Sequence, residues 1–155
     1  MESLSRTSAS SVVVHPQVLL SVGDHYNRLK GKTHDSRVVG ALLGNRSGGT
    51  VDVTNSFAVP FEEDSTNPDV WFLDHTYLID MLWNFKRVDS NNDIVGFYSS
   101  GPKVRENDLK IANVMRGICP HEPVFVVIDV RQGISDIPTI AYESVKEVTT
   151  KILGC

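Results

Sequence analysis

Cysteine is scarce in this 155-residue chain, with Cys119 and Cys155 the only two. Two thiols exclude a disulfide scaffold, and with no apolar leader ahead of them they point to the reducing cytoplasm and nucleus. A zinc site would have to draw its ligands from other residues. Long apolar runs are also missing. The longest strongly apolar one, 124–128, falls far short of the ~20 residues a spanning helix needs, so no membrane role is expected. Positive charge is not in excess either: 15 Lys+Arg stand against 19 Asp+Glu, a formal net charge of -4. Such a surface does not draw in phosphate over distance, which argues against a nucleic-acid partner. The first ten residues are polar and serine-rich and read as a disordered N-terminus. Cys155 stands last in the chain, which is not the position of a prenylated cysteine.

What is present reads as one ordinary globular domain over 11–150, followed by a short tail at 151–155. With 41% hydrophobic and 22% charged residues, a chain of this length buries roughly 68–70% of its unfolded surface. Residues 11–14 are β-prone. His15-Pro16 then opens a helix, since proline fits a first helical turn, and Gly31 ends it. Val18, Leu19, Val22, Tyr26 and Leu29 fall on one stripe of that helix. RVVGALLG (37–44) is a strand buried on both faces, and Ser47-Gly48-Gly49 turns it into a second strand. There Val51, Val53, Phe57 and Val59 alternate, interrupted at Asn55, as in a half-buried strand. FEEDSTNPD (61–69) reads as a solvated acidic loop. A short strand at 70–73 precedes a helix at 74–88 with Asp74 as its N-cap. Further expectations are a central strand at 93–98, a helix at 106–118, a buried strand at 123–130 and a last strand at 139–145. Leaving aside the short strand at 70–73, the order β-α-β-β-α-β-α-β-β implies an α/β fold: one domain with a mixed, mostly antiparallel sheet flanked by helices.

Hydrolytic zinc needs three converging ligands. The histidines His15, His25, His34, His75 and His121 form no His-x-His or His-x-x-x-His pair. Asp24-His25 and Asp74-His75 are adjacent, but neighbours on a helix point about 100° apart. Cys119-Pro120-His121 is at most a two-ligand fragment. Ser99 follows a strand, yet a nucleophile elbow needs glycine where Phe97 stands; Ser99 and Ser100 are better suited to shaping the turn. Phosphate loops are absent, with Gly40 and Gly44 inside an apolar strand. Lys103, Arg105 and Lys110 surround a helix start, which suits solvation or a small anion.

One stripe resists a purely internal role. On the helix at 74–88, Tyr77, Leu78, Met81, Leu82, Phe85 and Val88 make one broad apolar arc, while Ile79 and Trp83 fall nearly opposite. Either another chain segment or a partner covers them. Trp is enriched at interface centres, and the candidate interface set is Ile79, Trp83 and Met81.

Seven segments, taken in order, resemble a known family: HPQVLLSVGDHYNR (15–28), RVVGALLG (37–44), VDVTNSFAVPFEED (51–64), VWFLDHTYL (70–78), IVGFYSSGPKVRENDLKI (94–111), VFVVIDV (124–130) and PTIAYESVKEV (138–148). The chain resembles an MPN domain, and within that family the non-catalytic MPN subunits of the proteasome regulatory-particle lid. Catalytic members are zinc isopeptidases that remove ubiquitin, with a glutamate, a His-x-His-Pro, a serine and an aspartate. Matched to that motif, Arg37 takes the glutamate position and Ser99 and Gly101 the two histidine positions. A gapped match leaves Asp108 as the retained aspartate and Arg105 at the serine. The subfamily's Trp-Tyr-His is Phe97-Tyr98-Ser99 here. The resemblance implies a non-catalytic scaffold without metal or cofactor. It implies pairing with the zinc-bearing catalytic MPN lid subunit and contact with other lid subunits. It also implies a truncated form of a longer architecture, because the family's C-terminal helical region is not in the chain; on its own the domain is expected to allow a homodimer. Non-catalytic MPN subunits of the signalosome or of translation initiation factor three are the alternatives, ahead of an active isopeptidase.

Overall fold

His15 and Pro16 switch the chain from strand to helix. The strand β1 (Ser11–Val14) ends one residue before α1 (Pro16–Leu29), and the Val18 amide donates back to the His15 carbonyl at 2.9 Å. This computed structural model describes residues 9–29, 37–64, 66–67, 69–101, 105–130, 139–143 and 146–153. Gly31, expected to end α1, lies outside the described residues. Val18, Leu19 and Val22 are buried as their spacing predicts. Leu29 departs from that stripe at 39% exposure, and His25 is buried instead.

β2 (Val39–Ser47) and β3 (Thr50–Val59) form a hairpin whose turn places Gly48 at φ 61°, a backbone region that costs glycine nothing. β4 (Phe61–Glu63) and β5 (Trp71–Leu73) pair antiparallel as a small separate ribbon. This corrects the reading of 61–69 as a loop throughout. α2 (His75–Val88) follows, with the Asp74 carboxylate accepting from the Tyr77 amide at 2.9 Å as its N-cap. Then come β6 (Asp93–Ser100), α3 (Glu106–Arg116), β7 (Val124–Ile128), β8 (Thr139–Glu143) and β9 (Lys146–Ile152). The ninth strand takes in Lys151 and Ile152, which the sequence assigns to the tail.

The main sheet runs β3-β2-β6-β7-β8-β9, and β1 lies parallel to both β3 and β9. Five of the eight strand pairings among the described residues are antiparallel, as in the expected mixed sheet. Two apolar clusters occupy its two faces. α1 closes the first with Val18, Leu19 and Val22. α2 and α3 close the second with Leu78, Ile111 and Met115.

Bulges decide which side chain joins which cluster. Leu43 pairs with Asn55 but Gly44 pairs with Val53, so Thr54 is an extra residue in β3. An extra residue turns the strand over, because side chains alternate with period two. Val51 and Val53 therefore face the α1 cluster, while Phe57 and Val59 face the α2 cluster. The single half-buried face read from their odd spacing is in fact two faces. Val95 is the matching extra residue in β6.

Candidate functional site

The pairing of β2 with β6 brings residues far apart in sequence to one point. Val39 sits opposite Ser99, so Arg37, two residues before, lies at the C-terminal end of β6. The backbones lock there: the Ser100 amide donates to the Val38 carbonyl at 3.0 Å, and the Val38 amide donates to Ser100 Oγ at 2.9 Å. Arg37 is only 5% exposed. A buried guanidinium must find acceptors for its donors.

Arg37 finds them on three different elements. Nε donates to Glu63 Oε1 at 2.7 Å and Nη2 to Glu63 Oε2 at 3.2 Å, a two-pronged bond to β4. Nη1 donates to Ser99 Oγ on β6 at 2.9 Å and to Asp108 Oδ1 in the first turn of α3. The Phe61 ring lies under the guanidinium at 5.3 Å. Asp108 is held from its other side as well, since Oδ2 accepts from the Arg105 amide at 2.7 Å. Glu63 also accepts from Asn107 Nδ2 at 3.1 Å and from Arg105 Nη1 at 3.4 Å.

Burial and pairing set the protonation of the group. Burial by itself would loosen the Arg37 proton, but the bonds to Glu63 and the charge of Asp108 outweigh it and raise the pKa. Burial likewise acts to raise Glu63; the bonds from Arg37 and Asn107, with both arginine charges, hold it below the ordinary carboxylate range. For Asp108, burial pushes the carboxyl up against the pull of Arg37 and the Arg105 amide.

This donor set does not fit zinc. A cation fills the place matched to the catalytic glutamate, Ser99 supplies a hydroxyl already engaged with Arg37, and Gly101 has no side chain. The Gly101 amide donates to the Ile128 carbonyl at 2.7 Å. Both oxygens of Asp108 are taken. Among the described residues no group of three His, Cys, Asp or Glu side chains could hold a metal.

Other candidate residues, Arg105 excepted, are engaged elsewhere. His25 Nδ1 is hydrogen bonded to the Tyr98 hydroxyl at 2.8 Å, and Asp74 is engaged as a cap. Cys119 is buried and His121 is exposed. Around the start of α3, Arg105 and Lys110 already face carboxylates, with Lys110 Nζ 3.3 Å from Asp69. Lys103, the third basic residue there, lies outside the described residues. On α2, Trp83 is 59% exposed and Ile79 half-buried, whereas Met81 packs with Leu82 and Phe85 against the second cluster. Tyr77 and Val88 are exposed rather than part of the buried arc.

The sequence reading missed Glu63 and Asn107. Glu63 stands among Glu62, Asp64 and Asp69, and composition cannot tell a counter-ion from its solvated neighbours. The available signal was Arg37 itself: a cation opening an apolar strand needs a carboxylate from elsewhere.

Comparison with known proteins agrees with the motif. Residues 7–121 match the family described as JAB1/Mov34/MPN/PAD-1 ubiquitin protease. The chain belongs to this family. The MPN domain is 52% identical over 147 residues to 26S proteasome non-ATPase regulatory subunit 7 homolog B of Arabidopsis thaliana, covering 95% of the chain and 47% of that protein. It is 50% identical over 142 residues to 26S proteasome non-ATPase regulatory subunit 7 of Drosophila melanogaster, covering 91% and 42%. A subunit of eukaryotic translation initiation factor 3 from Bombyx mori is more distant, 35% identical over 119 residues, covering 77% and 39%. The MPN domain thus spans less than half the length of these relatives.

Proposed function

We propose that this MPN domain is a non-catalytic, structural part of a 26S proteasome regulatory subunit, working in the lid beside a zinc-bearing MPN subunit in ubiquitin-dependent degradation. The observation that carries the reading is the Arg37 cluster in a chain about half identical to proteasome regulatory subunits. A guanidinium keeps its proton, has no vacant coordination position and cannot lower the pKa of water as a metal does. Pairing would use the exposed Trp83 and the neighbouring Ile79 on α2, where an aromatic anchor stands clear of the domain's own core. On the same reading we propose that the chain works in the cytoplasm and nucleus.

The test is affinity purification of the domain from its own cell extract, with mass spectrometry of what accompanies it. Recovery of the catalytic MPN subunit, lost with Trp83→Glu, supports the reading. The relation to an initiation factor 3 component supplies the second reading, and recovery of initiation-factor or signalosome subunits would move the domain to that complex. Cleavage of ubiquitin conjugates by the purified chain in the presence of zinc would overturn the non-catalytic assignment.

A further inference from the structure

The acceptors around Arg37 come from elements that otherwise share little at this end of the fold. Ser99 is next to last in β6, Asp108 lies in the first turn of α3, and Glu63 ends the β4 strand of the small ribbon. The guanidinium nitrogens divide these partners between them. Nε and Nη2 grip the ribbon, while Nη1 bridges the sheet and the helix. With Arg105, the set contains two cations and two carboxylates, so its formal charges balance. Balance matters because an uncompensated buried charge is far more costly than a paired one.

The ribbon meets this set through its polar residues, while Leu73, Phe61 and Trp71 pack on the second apolar cluster. β4 and β5 pair with each other and stand outside the main sheet. Among the described residues, Glu63 ties β4 to Asn107 in the first turn of α3 and to Arg105 just before it, and Asp69, in the connection between the two strands, meets Lys110 on α3. Phe61, two residues before Glu63 on β4, covers the Arg37 guanidinium.

We propose that Arg37 is a built-in cation of this domain, gathering Ser99, Asp108 and Glu63 as a bound metal gathers its ligands, and that Glu63 is the latch by which it fastens the β4–β5 ribbon to the sheet and to α3. Unlike a metal, this cation is tethered by its own chain and cannot be removed by a chelator. The proposal concerns the architecture of the domain and does not depend on which assembly it enters.

Hydrogen–deuterium exchange and thermal unfolding of the purified chain test it together. Glu63→Ala should speed exchange at 61–63 and 71–73 by about tenfold or more, leaving β2 and β3 unchanged. Glu62→Ala, the exposed neighbour on the same strand, should not. Arg37→Met should speed ribbon exchange as Glu63→Ala does and lower Tm. Adding Asp108→Asn to Arg37→Met should restore part of that Tm, because it removes the stranded charge; this double variant also serves if Arg37→Met does not fold. Native ribbon exchange in Glu63→Ala, or a native Tm in Arg37→Met, would overturn the latch. A rise in the wild-type Tm of more than about 2 °C with excess zinc chloride, reversed by EDTA, would show that a metal completes the site and would overturn the built-in cation.

Discussion

Gly40 and Tyr98 face each other across β2 and β6 so closely that a Cβ on Gly40 would lie 2.3 Å from the Tyr98 ring and 2.4 Å from the Phe57 carbonyl oxygen. The ring cannot swing aside, because Tyr98 is buried in the α1 cluster and its hydroxyl meets His25 Nδ1 at 2.8 Å. Glycine is required here by contact, with no appeal to backbone freedom.

Gly40→Ala should therefore cost about 3 kcal/mol, the upper end of ordinary overpacking, since both neighbours are confined. Urea unfolding reads it as a lower midpoint at unchanged slope. Gly23→Ala is the control, because nothing lies within 4 Å of the Cβ it would add.

His25 makes the fold sensitive to mild acid. Burial, then the nearby Arg28 charge, lower its pKa to about 4, against a smaller opposing effect of Asp24. Between the unfolded value, about 6.5, and the folded one, the unfolded chain binds the proton and the folded chain does not. Stability thus falls as pH drops through that window. From pH 7 to pH 5 the loss assigned to His25 is about 2 kcal/mol. Urea titrations of the wild type and His25→Gln at both pH values should differ by that amount; parallel pH dependence would refute the assignment.

Asp108→Asn should lower stability by about 2–3 kcal/mol at neutral pH. The amide can still accept one hydrogen bond, but it loses the charge that faces Arg37. Ser99→Ala, which removes a neutral acceptor from the same guanidinium, should cost about 1 kcal/mol. Chemical denaturation ranks the two variants, and equal costs would mean that charge is not what holds the cluster.

Trp83→Glu should leave the unfolding free energy of the isolated domain within about 0.5 kcal/mol, because the side chain is largely in water. Loss of partner recovery in a variant of native stability would separate pairing from folding. A large drop in stability would show that Trp83 belongs to the domain's own packing.

Much of the fold was readable along the chain, wherever a local rule operated. Pro16 opens α1, Asp74 caps α2, and the unbroken apolar runs in β2 and β7 are buried on both faces. The ribbon was not readable: three-residue strands carry no period, and acidic residues around them resemble a solvated loop. The bulges at Thr54 and Val95 were hidden too, because an extra residue shows only against the strand it fails to match.

At the candidate site the division is sharper. By itself, the sequence determined the chemical inventory at the motif positions: two arginines, a serine, a glycine and one aspartate, a set too poor in donors for catalytic zinc. Tertiary structure alone decided that Arg37 points inward and that Glu63, rather than Glu62 or Asp64, answers it. Likewise only packing turned Met81 toward the core while leaving Trp83 in solvent. The reason is range. Helix starts, caps and apolar periods arise within a few neighbouring residues, whereas a buried charge chooses its partner among groups that folding alone brings within hydrogen-bond distance.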